Sequence, residues 1–141
     1  MRIVFDEHTP RAVAHALRPL VAAENVGQAD PVEVWHALDL FEKGLRDTIL
    51  IERVADGTHA RAALVTSDKA MRTRQHERAA FTHTGCIGIV LRGQWAHAAA
   101  WDRAVHTLCW WSVWVETVAG AAPGTLWQCP WSMRPKRLVP F

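Results

Sequence analysis

Three short apolar runs constrain this chain more than any other feature. They are "RIVF" (Arg2 to Phe5), "AALVTSD" (Ala62 to Asp68) and "CIGIVL" (Cys86 to Leu91). Each is β-branched or aromatic in character, and apolar without alternation until small polar residues or a turn end it. A strand of that kind is buried on both faces. Helices must then cover it, and the segments between the runs carry helical spacing. Thr9-Pro10 offers an N-cap followed by proline at the first helical position, and Val13, Leu17 and Leu20/Val21 recur behind it. Pro19 limits how far that helix runs cleanly. Asp47 opens a second helix, "DTILIERVAD", closed by Asp56-Gly57. "KAMRTRQHERAAF" predicts a third. A long helix is predicted from Gln94 to Val118, with Trp101, Val105, Leu108, Ser112 and Val115 as its apolar stripe.

The remaining segments are weaker. "NVGQA" reads as a second strand, and "DPVEVWHALDLFEKGL" holds a short strand or a helical turn. "GTLWQCPW" reads as a last strand at the sheet edge, because Pro130 removes a backbone donor. The order β-α-β-(α)-α-β-α-β-α-β predicts an α/β fold: a three-layer domain over residues 1–141, its central, mostly parallel sheet flanked by helices. Crossovers should be right-handed.

Such a sheet explains the acids that end its strands. In an open parallel sheet the carboxyl ends of the strands lie along one edge, where ligands bind. Asp6 ends the first run and Asp68 ends "ALVTS"; Asp47 joins them if its helix begins at the same edge. Clustered carboxylates repel one another and need a compensating cation. Oxygen ligands select Mg²⁺ or Mn²⁺, which suit phosphoryl chemistry. The formal net charge is only +2, so a surface for a polyanion must come from local clustering. "DKAMRTRQHER" supplies one with Lys69, Arg72, Arg74 and Arg78, while Lys43 and Arg46 flank Asp47. His8 lies beside Asp6, where it fits a phosphate contact, an acid, or simply a surface residue. Taken alone, the basic run also fits a solvated helix face, and Asp47 also fits a simple helix start.

The ordered set of motifs resembles the PIN-domain nucleases, and more closely a short bacterial branch of PIN-like proteins related to VapC-type toxins. "FDEHTP" is similar to the branch's opening strand and acid. In "HALDLFEKGLRDTILI", His36, Leu38, Phe41, Gly44 and Asp47 fall at matching places. "LVTSDKAMRTRQHERAAF" is similar to its Thr-x-Asp and the basic helix with a Glu, here Glu77. The resemblance implies a metal-dependent ribonuclease, with Asp6, Asp47 and Asp68 as catalytic, metal-binding acids and Mg²⁺ or Mn²⁺ as cofactor. RNA would be met by His8, Arg46, Lys69, Arg72 and Arg74. Toxin function implies a cognate antitoxin as partner. Many PIN domains carry a fourth acid shortly after the third; Lys69, Ala70 and Met71 stand there instead, and Glu7 is expected to point to the opposite face. A degenerate domain that binds RNA or protein without cutting is the alternative.

Other features bound the setting. Three well-separated cysteines with no C-x-x-C pair suggest a reduced, cytoplasmic protein. The first twenty residues do not read as a signal peptide, and "TLCWWSVWV" is too short to span a bilayer. No Gly-rich phosphate loop or zinc constellation occurs; His36 reads as packing or capping, and His83, His97 and His106 are scattered. Trp110, Trp111 and Trp114 are not expected all to face inward, which would leave aromatic surface for a homodimer or another partner.

Overall fold

A computed structural model describes residues 1–141 apart from the side chain of Arg72. The three apolar runs form adjacent strands: β1 (Arg2–Phe5), β3 (Ala62–Thr66) and β4 (Ile87–Leu91). Strand β2 is Glu33–His36, β5 is Leu126–Cys129 and β6 is Val139–Pro140. The sheet has six strands in the order β2-β1-β3-β4-β5-β6, and only the β5–β6 pairing is antiparallel.

Helices cover both faces. Alternate residues of one strand go to opposite sides. Ile3 and Phe5 pack with α1 (Arg11–Glu24) and α5 (Ala100–Gly120). Val4 packs in a second core with α3 (Asp47–Val54) and α4 (Gln75–Thr84). The expected three-layer arrangement is therefore present. A one-turn helix, α2 (Ala37–Leu40), follows β2 directly, so the ambiguous segment holds both a strand and a helical turn.

Several expectations need correction. "NVGQA" is not a strand. Asn25 caps α1, and its side chain pairs with the backbone N–H and C=O of Val32 at 2.9 and 2.8 Å, as a neighbouring strand would. Helix α1 starts after Pro10, with Thr9 outside it, and runs through Pro19 on its exposed side, where the missing backbone bond faces solvent. The basic helix is split into a 3₁₀ turn (Lys69–Arg72) and α4, and the long helix into a 3₁₀ turn (Gly93–Ala96) and α5. Strand β5 is not the edge, because β6 pairs beside it.

The long helix also presents a different face. Trp101 and Leu108 point outward, while Trp110, Trp111 and Trp114 are all buried. Successive helical residues differ by about 100°, so these three fit one broad arc. The sheet, α1 and the C-terminal segment cover that arc together, and the Trp110 indole N–H donates to the Ser132 carbonyl at 2.7 Å.

Candidate active site at the carboxyl edge of the sheet

Asp6 sits one residue beyond β1, with its backbone N–H donating to the Val65 carbonyl at 3.0 Å. The residue is 1% exposed. A buried carboxylate requires partners. It receives the Thr66 hydroxyl, the backbone N–H of His8 at 3.1 Å and the Thr9 hydroxyl at 3.4 Å. The His8 imidazole approaches it at 3.3 Å.

Thr66 ends β3 and links two acids. Its oxygen donates to Asp6 and accepts the backbone N–H of Asp68 at 2.9 Å. Asp68 then caps the following 3₁₀ turn, accepting the Ala70 N–H at 2.8 Å with one oxygen. Asp47 is the first residue of α3 and has Arg46 at its cap position, so it is not itself the N-cap. Its helix does begin at the carboxyl edge.

One guanidinium gathers the acids. Arg74 Nη1 lies 3.3 Å from Asp47, 4.0 Å from Asp68 and 2.8 Å from Glu77. Glu77, in the first turn of α4, is 1% exposed, and its other carboxylate oxygen, Oε2, is buried without a hydrogen-bond partner. The electrostatics show the same convergence. Burial, then Glu77 and Asp68, push the Asp47 carboxyl above its usual range. The hydrogen bond to Asp6 first, then the charges of Asp6, Asp68 and Asp47, raise the His8 imidazolium to about 9 against the effect of burial.

The structure thus brings Asp6, Asp47 and Asp68 to one edge and adds a fourth acid, Glu77. That residue stands far beyond the place where a fourth acid is expected. Its signals in the sequence are the Glu of the basic helix in the family resemblance, to which no site role attached, and its position three residues after Arg74, in the first turn of a helix. Glu7 takes no part, since it accepts the Gly44 N–H at 2.7 Å.

The basic residues divide. His8 and Arg74 are engaged with the acids. Exposed Arg46 lines an open cleft of about 330 Å³ with Asp47, Arg74, His76 and Glu77. Lys69 is exposed on the 3₁₀ turn, and the Arg72 side chain lies outside the described residues. Sequence reasoning also missed Arg103 of α5. Its buried guanidinium donates to the carbonyls of Ala96, Ala98 and His8 at 2.6, 3.0 and 3.1 Å. It thereby ties the loop after β1 to the last helix. His36, as expected, is structural: it caps α2 and contacts the Thr9 carbonyl at 2.8 Å.

The donor set suits a hard divalent cation in kind: carboxylates from four elements, one with an orphaned buried oxygen. Three of them, Asp47, Asp68 and Glu77, surround Arg74, which stands in for a cation. Among the described residues no three His, Cys, Asp or Glu side chains form a ready-made cage.

The chain matches the family model described as "PIN like domain" over residues 1–93. It belongs to the PIN-like domain family. The match spans β1 to β4 and every acid of the site. Residues beyond it add α5, β5 and β6 to the same sheet. PIN-like domains are commonly nucleases, which agrees with an acidic site at this edge. No curated protein and no solved structure matches the chain. Among the described residues, no helix is long and apolar enough to cross a membrane.

Proposed function

We propose that this PIN-like domain is a divalent-metal-dependent endoribonuclease. The observation that carries the reading is the meeting of Asp47, Asp68 and buried Glu77 around one cationic nitrogen, with Asp6 joined to Asp68 through Thr66. Asp47, Asp68 and Glu77 would hold Mg²⁺ or Mn²⁺, with Asp6 beside them. Such an ion supplies Lewis-acid polarisation of a phosphate and a water of lowered pKa. The chain's own residues do the rest. Thr66 and the His8 N–H fix the Asp6 carboxylate. His8, 63% exposed in its side chain and charged beside Asp6, offers a cation to an incoming phosphate. Arg46 and Lys69 extend that positive rim toward the cleft, where backbone phosphates carry affinity without base identity.

The resemblance to VapC-type toxins extends the proposal to a toxin role, with an antitoxin as its protein partner. The test of the activity is cleavage of single-stranded RNA by the purified protein with Mg²⁺ or Mn²⁺, with EDTA, and in the variants Asp6→Asn and Asp68→Asn. Cleavage should vanish with EDTA and fall at least ~100-fold in each variant, with circular dichroism unchanged. Variants that cut like the parent would remove the site assignment.

A second reading is favoured by Arg74, whose contacts with three carboxylates offset part of their charge without metal. On that reading the domain holds RNA or protein and does not cut. RNA binding without cleavage, insensitive to metal, would select it.

A further inference from the structure

We infer that Arg74 is a built-in competitor for the metal, so that a divalent ion enters the acid pocket only by displacing its guanidinium. The inference rests on the metal-dependent reading of the site and adds a residue that sets its affinity. Its basis is geometric. A single nitrogen, Arg74 Nη1, touches Glu77 at 2.8 Å and Asp47 at 3.3 Å and stands 4.0 Å from Asp68. Those are the oxygens that an ion among the same acids would need. An ion and a guanidinium cannot occupy that position together.

Glu77 gives the independent sign that a ligand is missing. Its carboxylate is buried beside that of Asp47 and faces Arg74 with one oxygen, while no hydrogen-bond donor reaches Oε2. A buried, unpaired carboxylate oxygen is costly. A guanidinium that meets Glu77 through one nitrogen leaves that cost in place, whereas an ion bound by both oxygens would remove it. Arg74 also has an open path to solvent. Its side chain is 48% exposed and sits at the start of α4, in the break after the 3₁₀ turn. When it swings out it remains at the rim of the cleft with Arg46, where a phosphate can take the place of the carboxylates it has lost. Metal entry thereby turns an internal ion pair into a substrate contact.

The test is calorimetric titration of Mn²⁺ into the EDTA-stripped full chain, in the parent, Arg74→Gln and Arg74→Lys. Arg74→Gln should bind Mn²⁺ about tenfold more tightly than the parent, and Arg74→Lys, with one compact charge, should fall between them. Scanning fluorimetry serves as a second readout if Arg74→Gln is less stable without metal. The rise in Tm on adding Mn²⁺ should then be larger for the variant. If the parent binds Mn²⁺ and Arg74→Gln binds equally or more weakly, Arg74 does not compete and the inference is overturned, while the metal-dependent reading stands. If neither protein binds Mn²⁺, both fall.

Discussion

Thr66 donates its hydroxyl to the Asp6 carboxylate across 60 positions of sequence. The same oxygen accepts the backbone N–H of Asp68 at 2.9 Å. One buried hydroxyl therefore fixes two of the acids relative to each other. Thr66→Val keeps the shape and removes both bonds, leaving a buried carboxylate short of a donor and a backbone N–H without an acceptor. It should cost about 1–3 kcal/mol in urea unfolding, and Thr66→Ser should restore most of that. Equal stability of Thr66→Val and the parent would show that the link is not felt.

The strands that build this edge were legible because they are apolar on both faces. Strand β2 was not, since it lies at the sheet edge with Glu33 exposed. Its short, mixed sequence matches neither period. Helix α5 was misread because its apolar residues run nearly all round; with a stripe on either side, only tertiary packing chooses which is buried. The acids ending β1 and β3 were readable from topology. Glu77 is visible as the Glu of the basic helix, but its role as a site acid is not, because its neighbours Arg74, His76 and Arg78 look like a solvated basic face. Only the turn that breaks "KAMRTRQHERAAF" aims Glu77 and Arg74 at the acids. The basic run read as an RNA contact is thus partly an internal counter-charge.

Asp39 provides a test on the acid side of pH. It follows β2 and receives Arg11, His15 and Arg18 from α1, at 2.6 Å from Arg11 Nε and 2.8 Å from each of the other two. Burial would raise its carboxyl, but the bonds from His15 and Arg11 outweigh it and hold the pKa at about 2. A pKa depressed in the folded state gives stability that is present above the ordinary value of 3.8 and lost as pH falls toward 2. The partners are 37% to 52% exposed, so solvent screening limits the effect to about 1 kcal/mol. Asp39→Asn should lower the urea midpoint at pH 6, and the gap from the parent should close toward pH 2. A gap that does not change over that range would contradict the pairing.

Gly124 tests the packing of the segment beyond the family match. It has φ +76°, and a Cβ there would lie 2.7 Å from Thr82 Cα and 2.9 Å from the Phe81 carbonyl oxygen. These are backbone atoms of α4 and its neighbourhood cannot yield cheaply. Gly124→Ala should cost about 2 kcal/mol or more, from left-handed strain and overpacking together. Gly27, with φ +79° and nothing within 4 Å, should lose only the strain component, about 1 kcal/mol. Thermal unfolding of the two variants side by side gives the comparison. Equal losses would mean that the turn before β5 does not press on α4.

The central claim is the proposal that Asp47, Asp68 and Glu77 hold one doubly charged ion, with Asp6 beside them. A crystal of the full chain grown with Mn²⁺ and measured at the manganese absorption edge tests it most directly. The expected result is an anomalous peak at coordination distance from the carboxylates of Asp47, Asp68 and Glu77, with the Arg74 guanidinium turned away from all three. No peak at saturating Mn²⁺, with Arg74 still seated on Glu77 and Asp47, would contradict it.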